Sequence, residues 1–166
     1  MAAKDTPVAM RRFLQWQSTP PVVINLVLSA AVAWMIFKDL PVVPLRGSLS
    51  VGADTLFTAF VLPVLICLVT VTLVRKQMAA GRAPELGQLA DQFWLRGIHS
   101  SSFTFRHSLA FGVLGVMLVG VPVLCILMAS VLSDMSLYNF VLYKAVLAAV
   151  LAALTAPVSV LIALKP

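Results

Sequence analysis

Residues 21–37, 54–74, 108–132 and 138–164 form four continuous apolar runs in which Asp54 and Lys144 are the only charged side chains. A helix needs about 20 apolar residues to cross the ~30 Å hydrocarbon core of a bilayer. Each run therefore reads as a membrane-spanning helix. The first is short and the fourth long, which predicts unequal tilt or depth. A transmembrane barrel is excluded, because its strands alternate polar lumen-facing with apolar lipid-facing residues. Composition agrees: 61% of the 166 residues are hydrophobic and 11% charged, against about 25% charged in soluble domains. That balance excludes a soluble globular enzyme, a disordered chain and a collagen-like fibre. The expected fold is an all-α integral membrane four-helix bundle over 21–166, preceded by a basic segment over 1–20.

Charge predicts the orientation. Lys4, Arg11, Arg12, Arg75, Lys76, Arg82, Arg96, Arg106 and Lys165 fall on one side, leaving Lys38, Arg46 and Lys144 of the 12 cations for the other. Excess Lys and Arg in short loops marks the cytoplasmic face, so both termini are expected inside. Arg11 and Arg12 before an apolar stretch ending near Ala31-Val32-Ala33 have a signal-peptide look. A cut there would discard most of the first run, so a retained helix is expected. Trp16 and Trp94 on the inner side, with Trp34, Tyr138 and Tyr143 on the outer, are expected in the interfacial belts. The +6 net charge comes mainly from inner loops and implies contact with anionic lipids, not nucleic acid.

Between the second and third runs, Leu86, Leu89, Ala90, Phe93 and Trp94 recur at helical spacing. Pro84 suits the start and Gly97 the end of such a helix. An interfacial amphipathic helix over about 84–97 is expected there. The first outer connection, 38–52, mixes Pro41, Pro44 and Gly47 with Val42, Val43 and Leu45, which suggests that it folds back onto the bundle mouth. The second outer connection, around Ser133-Asp134-Met135, is short and predicts that the third and fourth helices are antiparallel neighbours. Runs one–two and three–four, with Pro63 and Pro157 in the second helix of each, hint at a parallel internal repeat.

Small residues recur where helices would pack: Gly112 and Gly115 in the third run, Ala145, Ala149 and Ala153 in the fourth, with Ala148, Ala152 and Ala156 on the adjacent row. Such residues let helix backbones approach closely in lipid. Pro63, Pro122 and Pro157 each remove a backbone hydrogen bond and can kink a helix. Asn25, Ser29, Thr55, Thr58 and Thr70 are candidates for interhelical contacts or for a polar path. Asp54 and Lys144 are expected at similar depth at the outer mouth, where pairing lowers the burial cost of both charges. Asp54 also suits the N-cap of its helix, and a carboxylate can serve both purposes.

No catalytic, cofactor or metal site is expected. No Glu lies in any run, and His99 and His107 lack a metal-ligand pattern. Cys67 and Cys125 are expected at different depths, too far apart for a disulfide. Val23-Ile24-Asn25 with Ser29, the Pro/Gly-containing outer loop, Asp54, Pro63 and the basic loop from Arg75 resemble a broad group of short bacterial inner-membrane proteins. Its members are loosely called permeases. The resemblance spans most of the chain and brings no established functional residues; it implies a multi-pass protein of the bacterial inner membrane. The expected function is non-enzymatic: association with itself or with another membrane subunit. The alternative is a small-solute permease working as an oligomer.

Overall fold

The computed structural model describes residues 6–47, 49–81, 105–130 and 134–164. In chain order these form helix α1 (Thr6–Phe37), strand β1 (Val42–Pro44), helix α2 (Val51–Ala79), helix α3 (Phe105–Ala129), strand β2 (Asp134–Ser136) and helix α4 (Leu137–Ala163). All four helices are long and apolar enough to cross a membrane. The 29 residues of α2 rise about 43 Å at ~1.5 Å per residue, more than the ~30 Å core requires. The expected interfacial helix over 84–97 lies outside the described residues.

α4 packs against α1 and α2, and α3 packs against α2. The third and fourth helices, expected as antiparallel neighbours, meet through side chains, with Val116, Val119 and Val123 of α3 packed on the cluster of Ala59, Leu147 and Leu151, but their backbones do not approach closely. The reason lies in the linker. β2 runs across the bundle end to pair antiparallel with β1, with Val42 opposite Ser136, Val43 opposite Met135 and Pro44 opposite Asp134. This carries the start of α4 away from α3 and onto α1.

The first connection does fold back over the mouth: Val43 and Leu45 are buried in one cluster with Ala33, Phe37, Val51 and Phe140. The Phe37 and Phe140 rings meet edge to face with centroids 4.8 Å apart, a geometry favoured by the aromatic quadrupole. Leu45 O accepts from the Gly52 N–H at 3.2 Å, tying the turn to the first residues of α2.

The helices start and stop where local chemistry allows, not always where hydropathy changes. α1 begins at Thr6 rather than near residue 21, and contains Pro20 and Pro21. Prolines in a helix interior leave carbonyls one turn back without their usual donors. Polar side chains flanking the prolines bond back onto the helix one turn earlier: Thr19 Oγ1 donates to Gln15 O and Asn25 Nδ2 to Pro21 O. α2 begins at Val51, not at 54, because Ser50 caps it: its extended backbone lets Oγ accept from the Ala53 N–H at 3.2 Å. Ser136 caps α4 in the same manner through the Asn139 N–H.

Within α3, residues Val116–Gly120 open into a π turn, and the Val121 N–H reaches Val116 O. Pro122 follows directly. A proline ring collides with the carbonyl four residues back in a regular α-helix, and the widened turn relieves that collision.

Small residues set the helix contacts. On α3, a Cβ at Gly112 would lie 2.7 Å from Val64 Cγ2, and one at Gly115 would collide with the Ala59 carbonyl oxygen. On α4 the fully buried row is Ala148, Ala152 and Ala156. Of the expected row, Ala145 is buried, Ala149 half-buried and Ala153 exposed. The rows diverge because the close backbone neighbours of α4 are α1 and α2, and Ala153 faces neither.

Candidate functional site

The most unusual chemistry lies just beneath the β-ribbon, at the α2–α4 contact. The Ser50 cap sets the phase of α2 and places Asp54 in its first turn, where the helix dipole favours a carboxylate. The Ser136 cap sets α4, and Lys144 follows about two turns in. Lys144 Nζ donates to Asp54 Oδ1. Lys144 is only 5% exposed, and the side chain of Asp54 12%. The second carboxylate oxygen, Oδ2, is buried and has no hydrogen-bond partner. Asp54 is therefore an ion-pair partner, and Ser50 rather than Asp54 is the N-cap.

A sequence neighbour of each charged residue makes a second bridge. Thr55 Oγ1 and the Tyr143 hydroxyl are 2.8 Å apart, and Thr55 Oγ1 donates to Val51 O at 2.6 Å. A hydroxyl has one hydrogen, so Tyr143 must be the donor to Thr55. The Tyr143 ring is half-buried between the apolar cluster under the ribbon and the cluster of Ala59, Leu147 and Leu151. Two consecutive residues of α2 thus engage two consecutive residues of α4. The aromatic ring and the ribbon cover the arrangement. Tyr143, expected in the outer interfacial belt, turns its hydroxyl inward to Thr55.

The other candidate polar residues are not gathered into one path. Asn25 and Thr70 line a lateral groove of about 400 Å³ between α1 and α2, together with Gln17, Ile24 and Leu65. Ser29 and Thr58 are buried, and Thr55 belongs to the bridge beside the charge pair. A second groove, of about 520 Å³, lies between α3 and α4 and is lined by Val119, Val123, Asn139 and Tyr143. At the bundle end away from the ribbon, Gln17 Nε2 donates to Gln77 Oε1 at 2.6 Å and ties α1 to α2.

Chemically, the pair is a structural electrostatic lock. The described residues contain no group of three His, Cys, Asp or Glu suited to a metal ion. Cys67 and Cys125 are free thiols, one buried and one exposed. Sequence reasoning missed the Ser50 cap, the Tyr143–Thr55 bond and the Gln17–Gln77 bond. A serine just before each apolar run was a usable signal for the two caps. Nothing in the sequence pairs Gln17 with Gln77. Compared with known protein families, curated proteins and solved structures, the chain has no match.

Proposed function

We propose that this chain is a non-enzymatic integral membrane protein that works by helix association, as a homo-oligomer or as an accessory subunit of a membrane complex. The observation that carries this reading is uneven burial. The apolar windows of α2 and α4 are 50% and 56% buried within the bundle, whereas those of α1 and α3 are 17% buried. Two helices form the centre, and two are flanking helices with most of their surface available in the plane of the membrane. The exposed Ala153 and half-buried Ala149 of α4 add a stretch where another helix can approach closely. The in-span polar groups, meanwhile, are largely engaged inside the chain: Asp54 with Lys144, Thr55 with Tyr143, and Asn25 with a backbone carbonyl.

The charge asymmetry supports a bacterial inner membrane location with both termini cytoplasmic, and anionic lipid at that face. Native mass measurement of the purified protein in lipid nanodiscs tests the association. A defined oligomer, or a stable complex with another subunit, is expected. A strictly monomeric protein that carries solute into liposomes overturns the reading. The α1–α2 groove, with Asn25 and Thr70 on its wall, favours that second reading, a small-solute permease.

A further inference from the structure

We infer that the α2–α3 contact at the end away from the ribbon holds the phosphate headgroup of an anionic phospholipid. A cavity of about 450 Å³ opens there, lined by Leu68, Val71, Thr72, Arg75, Lys76 and Ser108, among others. Its composition is graded along the helix axis. Leu68 and Val71 provide an apolar floor on the membrane side, and Arg75 and Lys76 stand one turn further on, where α2 leaves the apolar run. An amphiphile with an anionic head and an acyl tail matches that gradient, and a free inorganic anion leaves the apolar half unfilled.

Two further features point to an acceptor-rich ligand. Ser108 is 1% exposed and lines the cavity, where its hydroxyl can donate to a ligand oxygen. A phosphate oxygen can accept from that hydroxyl. Arg75 offers five N–H donors in a planar fork suited to phosphate, with capacity for more than one partner, and Lys76 adds a compact charge. Basic pockets between transmembrane helices are a recurrent form of headgroup site. The inference deepens the anionic-lipid part of the proposed function and does not depend on oligomeric state.

The test is lipid retention by the full chain in detergent, read by native mass spectrometry after exposure to equimolar phosphatidylglycerol and phosphatidylcholine. The wild type is expected to retain phosphatidylglycerol at least tenfold over phosphatidylcholine. Arg75→Gln with Lys76→Gln is expected to abolish the preference, and Ser108→Ala to reduce it several-fold. Arg12→Gln, an exposed cation on α1, is expected to leave it intact. Should the double variant not fold, salt titration of the wild type decides: retention must fall steeply as ionic strength rises. Equal retention of the two lipids, or a preference that survives the double substitution or high salt, overturns the inference. So does a thermal shift with inorganic phosphate alone as large as that with phosphatidylglycerol, which would assign the cavity to a free anion. An oligomer with no lipid preference sinks this site and leaves the association reading standing. A monomer that retains the lipid does the reverse.

Discussion

Lys144 is an ammonium held among apolar side chains, and its only described partner in an ion pair is Asp54. A buried pair contributes little over a well-packed apolar replacement, but removing one partner leaves an uncompensated charge at a loss of about 3–5 kcal/mol. Lys144→Met is therefore expected to destabilise strongly, and Asp54→Asn to destabilise less, since Asn can still accept from the ammonium. With both replaced, the loss is expected to fall well below the sum of the single losses. A double-mutant cycle on unfolding in detergent measures this coupling; additive losses would mean that the pair is not an energetic unit. Tyr143→Phe is a milder change, because Thr55 Oγ1 keeps its bond to Val51 O. A loss of about 0.6–1.7 kcal/mol is expected for one hydrogen bond inside a membrane protein, read by the same unfolding assay.

At the scale of elements, the α2–α3 contact depends on what α3 lacks. Gly112 and Gly115 bring its backbone against Phe60, Val64 and Ala59, where no side chain fits. Gly115→Ala must push the helices apart or shift the backbone of Ala59, and overpacking of this kind costs about 1–3 kcal/mol. A lowered thermal midpoint in detergent is the expected outcome, and an unchanged midpoint would mean that the helices separate freely. Ala153 provides the contrast, because it is exposed on α4. Ala153→Leu is expected to leave the unfolding midpoint within the ~0.5 kcal/mol range of surface changes while shifting a self-associating protein towards smaller species on native mass measurement.

Over the whole molecule, the connectivity follows a two-fold pattern. Each helical hairpin has a strand and a serine cap before its second helix. The two strands pair antiparallel, and the first helix of each hairpin packs on the second helix of the other. The second helices, α2 and α4, meet at the centre, and a groove lies between the two helices of each hairpin. The hairpins are consequently interlocked: neither buries its own faces without the other. On the proposed reading, four crossings put residues 6 and 164 on the same side of the membrane, and the excess of basic residues there makes the cytoplasm the expected side. Fusion of a fluorescent reporter to the carboxy terminus is expected to give fluorescence, and fusion of alkaline phosphatase no activity. Active phosphatase at that end would invert the topology.

What the sequence determined by itself was everything governed by the bilayer as a solvent. Long apolar runs must become helices because unsatisfied backbone groups are not tolerated in hydrocarbon, so the four long helices were legible in hydropathy alone, and the two short strands were not. Asp54 and Lys144 were conspicuous for the same reason, as isolated charges in apolar surroundings. The tertiary structure decided which helices touch. Lipid tails are as apolar as leucine, so hydropathy does not distinguish a face that packs from one that meets lipid. Ala153 and Ala152 are neighbours of identical composition, yet one is exposed and the other fully buried. The short link between α3 and α4 suggested adjacency, and the two helices do share the cluster of Ala59, Leu147 and Leu151, but their close backbone partners are in the other hairpin, to which the β1–β2 ribbon ties the link. Tyr143 had the look of an interfacial anchor in the sequence, and only the packed structure shows its hydroxyl bonded to Thr55. Local chemistry specifies where a helix can begin, but only the packed bundle specifies what each of its faces meets.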